Sequence, residues 1–120
     1  MQKEFKDELI KTGVDFDGAV SRFINSEEIY EEFLYRFPSD KNLSQLEKFL
    51  SEGDIEAAFK KAHTLKGLTS NYGFVKMYEK VIPVVDILRS GSADGIEEPL
   101  IELKKNYNFM CDIINKYRGF

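Results

Sequence analysis

One cysteine, one histidine and three prolines in 120 residues leave little material for several kinds of chemistry. Cys111 stands alone, so the chain can form no intramolecular disulfide and has no need of an oxidising compartment. One histidine and one distant cysteine do not make a metal-ligand set. Seventeen basic residues against 21 acidic ones give a net charge of -4. An acidic chain without a basic stripe argues against nucleic acid as its main partner. No apolar run approaches the roughly 18 residues that a membrane span requires. The charged start, Lys3-Glu4-Phe5-Lys6-Asp7-Glu8, stands where a signal peptide would carry an apolar stretch. There is no Gly-rich phosphate loop and no kinase signature. The expectation is a single domain over residues 1–120, soluble and cytoplasmic, with no membrane association.

What is present is helical patterning. The first segment, residues 2 to 12, carries Phe5, Leu9 and Ile10 and stops at Thr12-Gly13. A short second helix follows Asp15 or Asp17 as cap, with Ala19, Val20, Phe23 and Ile24 apolar. The third opens at Ser26 with Glu27 and Glu28 in its first turn, which suits the helix dipole, and Pro38 ends it. Its apolar positions are Ile29, Phe33, Leu34 and Phe37. Further helices are expected over residues 41 to 52, from Asp54 to Asn71, over 74 to 90 and over 95 to 117, with Gly53, Gly73 and Gly91 at the joints. Pro83 falls inside the sixth segment, where proline costs roughly 3 kcal/mol and kinks or splits a helix. A kink is expected there. Long helices joined by short loops pack antiparallel. The predicted architecture is all-α: an up-down antiparallel four-helix bundle made from the later helices, with short additional N-terminal helices covering one end or side.

The histidine is His63, in Ala62-His63-Thr64-Leu65-Lys66-Gly67. At 100° per residue, Ile55, Ala58, Ala62, Leu65, Thr69 and Tyr72 form one arc facing the interior. His63 lies well over a quarter turn from the middle of that arc. Lys66, Gly67 and Ser70 share its face at i+3, i+4 and i+7. Phe59, at i-4, lies on the border between that face and the core. Glycine inside a helix costs about 1 kcal/mol relative to alanine, and nothing in the pattern calls for a helix end at Gly67. Something must therefore approach the backbone beside His63. A neutral imidazole has a free lone pair and can attack phosphorus, and Lys66 is placed to screen the developing charge. No acidic cluster shares this face, so any metal for such a step must come from a partner.

Ala62-His63-Thr64-Leu65-Lys66-Gly67, followed by Asn71 and Gly73, resembles the signature of histidine-containing phosphotransfer (HPt) domains. The similarity covers most of the chain, including the segment from Glu28 to Phe37 and residues 73 to 91. The resemblance implies a phosphocarrier of a multistep two-component phosphorelay. His63 would accept a phosphoryl group from the aspartyl phosphate of a receiver domain and pass it to another receiver. Lys66 would be the charge partner and Gly67 the clearance for the incoming aspartate. It implies no autonomous kinase or other enzyme activity, no cofactor of its own, Mg²⁺ supplied by the receiver, and a monomer whose partners are response regulators and hybrid histidine kinases. Leu68, Tyr72, Pro83 and Asp86 depart from the family pattern, but none removes the reacting group.

Plainer readings stand beside these. Taken alone, His63 fits a packing role and Lys66 a solvated surface. Ser70 and Asn71 either bond a phosphoryl oxygen or face water near a helix end. Phe59 and Phe74 form an apolar docking rim or belong to the core; Phe5, Ile10 and Phe16 are further docking candidates. Cys111 reads as core filling. A helical adaptor of the same fold, binding a signalling partner without phosphotransfer, is the alternative from a different class.

Overall fold

The computed structural model describes residues 1–119. Among them are seven α-helices and one 3-10 turn, with no strand. The helices are α1 Lys3–Lys11, α2 Phe16–Arg22, α3 Glu27–Arg36, α4 Asn42–Ser51, α5 Ile55–Tyr72, α6 Val75–Arg89 and α7 Glu97–Tyr117; the 3-10 turn, Phe37–Ser39, contains Pro38 and ends α3. Asp15, Ser26 and Asp54 cap α2, α3 and α5, each accepting from a backbone N–H three residues on.

The later helices pack in sequence, α4 on α5, α5 on α6 and α6 on α7. Lys104 of α7 reaches Glu47 of α4 at 2.9 Å, and the Tyr107 hydroxyl donates to the Asp40 carbonyl ahead of α4. One continuous core results, with Leu46, Ala62, Leu65, Val81, Val84, Val85, Leu103 and Ile114 fully buried. Burial of this kind contributes roughly 1.5–3 kcal/mol for a large aliphatic side chain. The shorter helices cover it at one side. Phe5 of α1 stacks on Tyr117 of α7 at 4.8 Å and on Tyr35 of α3 at 5.8 Å. Pro83 is exposed and lies inside one unbroken helix, so it does not split α6.

Two expectations are corrected. Ile24 is not on the apolar face of α2, which ends at Arg22; it occupies the turn before α3 at φ 49°, 76% exposed. In α3 the interior is filled by Tyr30 and Leu34, whereas Phe33 is exposed under the Arg36 guanidinium. Tyr30 can be buried because its hydroxyl donates to the Tyr72 carbonyl at 2.7 Å.

That bond belongs to a set that anchors the end of α5. The last four carbonyls of a helix lack partners within it. Here Thr69 O accepts from Phe74 N, Ser70 O from Gly73 N and Arg22 Nη2, Asn71 O from Arg22 Nε, and Tyr72 O from Tyr30. The chain reverses at Gly73, whose φ is 73° and where an added Cβ would lie 2.6 Å from the Asp15 carbonyl. Only glycine fits both the left-handed backbone and that approach. Helix α5 is thus held at both ends and along one face.

Candidate functional site

The interior arc of α5 is buried as its spacing predicts: Ala58, Ala62, Leu65, Thr69 and Tyr72 face the core, with Ile55 half-buried at the start. The Thr69 hydroxyl donates to carbonyls of its own helix, Leu65 at 2.9 Å and Lys66 at 3.0 Å, so its burial leaves nothing unsatisfied. Burying that arc turns the opposite face outward. His63, Thr64, Gly67, Ser70 and Asn71 are exposed, and Lys66 is half-buried. Among the described residues, no hydrogen bond holds the His63 ring, and Lys61 and Lys66 have no ion pair, whereas Lys60 is 3.8 Å from Glu56.

Gly67 is open to solvent. Outside its chain neighbours and its own helix backbone, a Cβ built there meets no atom of the described residues within 4 Å, so none of their side chains fills the space the missing one leaves. The glycine lies well inside the 18-residue helix and terminates nothing. Its propensity cost of about 1 kcal/mol has no structural return within the molecule.

Phe59 stands beside the histidine. The two rings are stacked, with centroids 6.0 Å apart and planes inclined by 27°. On the next helix, Arg89 places its guanidinium carbon 5.9 Å from the Phe59 centroid and is itself held by Asp86 at 3.1 Å. Phe59 and Arg89, with Ile55, Glu56, Leu88 and Gly91, line a cleft of about 390 Å³ between α5 and α6 that does not include His63. Arg89 carries no signal in the sequence, because it is distant in the chain and only the packing of α6 on α5 brings it to the site.

The other candidates are distributed differently. Phe74 is 1% exposed, stacked on Tyr72 at 5.2 Å and edge-on to Phe37, and takes no part in the surface around His63. Phe5 and Phe16 are likewise buried, and Ile10 is exposed on α1. Ser70 and Asn71 give their carbonyls to Arg22, and their side chains are exposed about two turns beyond the histidine. Cys111 is half-buried against the core, and burial pushes its thiol up to about 11, so at neutral pH it is not a nucleophile. No group of three or more His, Cys, Asp or Glu capable of holding a metal occurs among the described residues. Nor is any helix among them long and apolar enough to cross a membrane. A larger cavity of about 730 Å³, between α1, α6 and α7, does not include the histidine.

None of the protein-family models, curated proteins or solved structures with which the chain was compared matches it significantly.

Proposed function

We propose that this chain is a histidine phosphotransfer protein of a multistep two-component phosphorelay. The observation that carries the reading is the exposed His63 on the outer face of α5, one turn from Lys66 and from a glycine over which the surface is open. In the proposed step, a lone pair of the neutral imidazole attacks the phosphorus of a receiver's aspartyl phosphate. The N–P bond forms, the P–O bond to the aspartate breaks, and the carboxylate leaves with the electron pair. Charge spread over the phosphoryl oxygens is met by the Lys66 ammonium. Running the step backwards hands the group to a second receiver.

Several features support a carrier over an autonomous enzyme. Among the described residues, no side chain hydrogen-bonds to the His63 ring, and no group of three or more His, Cys, Asp or Glu that could hold a metal occurs. The receiver would supply the Mg²⁺. In this reading α4 to α7 form an up-down antiparallel four-helix bundle that presents the histidine, α1 to α3 cover its side, and the protein acts as a cytoplasmic monomer.

The test is transfer of label. Incubation with a phosphorylated receiver and Mg²⁺ should move radioactive phosphate onto the chain in an acid-labile, base-stable form, and His63→Gln should abolish uptake. Equal labelling of the His63→Gln variant would refute the proposal. Binding of receivers with no labelling at all would favour the helical adaptor.

A further inference from the structure

The His63 imidazole is exposed, and among the described residues nothing hydrogen-bonds to it. An imidazole in that situation turns freely, since the torsion about Cβ–Cγ is broad and two-fold. A nucleophile that must meet phosphorus in line needs a narrower range. A hydrogen bond from the ring N–H to an acceptor would orient the ring, but none is present among the described residues. A ring stacked on the imidazole face restricts its plane and leaves both nitrogens open at the edge.

Phe59 provides that contact, with centroids 6.0 Å apart and planes 27° from parallel. Phe59 is itself constrained. It is half-buried, packs against the core, and has Arg89 Cζ at 5.9 Å from its centroid, in the range of a cation–π contact. Asp86 holds that guanidinium at 3.1 Å, so the contacts run from α6 across to the histidine on α5. We infer that Phe59, braced by Arg89, is a positioning residue that sets the plane of the His63 imidazole for phosphoryl transfer. The inference rests on the proposed phosphotransfer reading and gives Phe59 a role distinct from partner docking.

Two measurements separate this inference from the reading beneath it. The first is NMR of the protein without any phosphoryl donor. Stacking shifts the His63 ring protons by the Phe59 ring current and gives nuclear Overhauser contacts between the two rings. Phe59→Leu should remove both, and Phe59→Tyr should keep both. The second is uptake from phosphoramidate, which needs no protein partner: the imidazole displaces ammonia from phosphorus. Phe59→Leu should slow that uptake roughly three- to tenfold, Phe59→Tyr should restore it, and Arg89→Gln should slow it in the same direction. Arg89 is exposed, so its variant stays informative should Phe59→Leu fail to fold. Absence of ring-to-ring contacts in the parent protein would overturn the inference. So would unchanged uptake in folded Phe59→Leu, or, should that variant not fold, in Arg89→Gln. Intact ring-current shifts alongside failure of every receiver to label the protein would instead overturn the phosphotransfer reading.

Discussion

Gly67 concentrates the functional argument in a single missing side chain. Its φ lies in the ordinary helical range, and a Cβ added there would touch no described residue beyond its own helix, so the described fold gains nothing from glycine at this position. Gly67→Ala should therefore stabilise the protein by about 0.5–1 kcal/mol, a rise of a few degrees in Tm by calorimetry. Gly67→Gln should also fold. If a receiver must close over this face, the glutamine should cut transfer from a phosphorylated receiver by at least about tenfold while sparing uptake from phosphoramidate. Equal loss in both assays would show that the substitution damages His63 and does not act on the partner's approach. The contrast with Gly73 is instructive. There φ is 73° and Asp15 presses on the backbone, so the glycine is structural. Both glycines were visible in the sequence, and the periodicity separated them: one lies mid-helix on the face away from the apolar stripe, and the other follows the end of that stripe.

The elements were legible in proportion to how much of their order is local. Helix α5 shows its cap at Asp54, its buried stripe and its stop at Gly73 in the sequence because each depends on neighbours within a turn or two. The turn after α2 does not. Ile24 at φ 49° contradicts its own preference as a β-branched residue, and no local rule would place it there. Tyr30 is buried through a partner 42 residues away. The junction of α1 with α7 is likewise a product of distance in the chain. Glu8 accepts from Lys116 at 2.6 Å and from the Tyr117 hydroxyl at 2.5 Å, beneath the stacked rings of Phe5 and Tyr117. The Lys116 and Tyr117 hydrogen bonds hold the Glu8 carboxyl below its ordinary value of 4.5. A carboxyl lowered in the folded state adds stability above its unfolded value and loses it as pH falls through the folded one. Glu8→Gln should thus be less stable than the parent at pH 7, with the difference shrinking as pH drops below about 4.5, read by urea unfolding across pH. Phosphoryl uptake at neutral pH should be unaffected, because this junction does not touch His63.

For the molecule as a whole, charge is unevenly placed. The net charge is -4, yet on α5 Lys60 and Lys66 flank the histidine at i-3 and i+3, and Arg89 from α6 reaches Phe59 beside it. Lys60 and Arg89 have acidic partners at 3.8 and 3.1 Å; Lys61 and Lys66 have none among the described residues. A receiver site built from carboxylates and a phosphoryl group would be drawn to such a face. Raising NaCl from about 50 to about 500 mM should slow transfer from a phosphorylated receiver several-fold at subsaturating protein, as screening shortens the range of attraction. A rate insensitive to salt would remove electrostatic attraction from the account of docking.

The sequence by itself determined the helical class, most helix ends, the buried arc of α5 and the isolation of His63 from that arc. These follow from period, caps and glycines, which act between residues close in the chain. Only the tertiary structure decided that Phe74 is core, that Arg22 and Tyr30 complete the end of α5, and that Arg89 reaches Phe59 beside the histidine. Those contacts join different helices, and no pattern within one helix records which side chains of another will meet it.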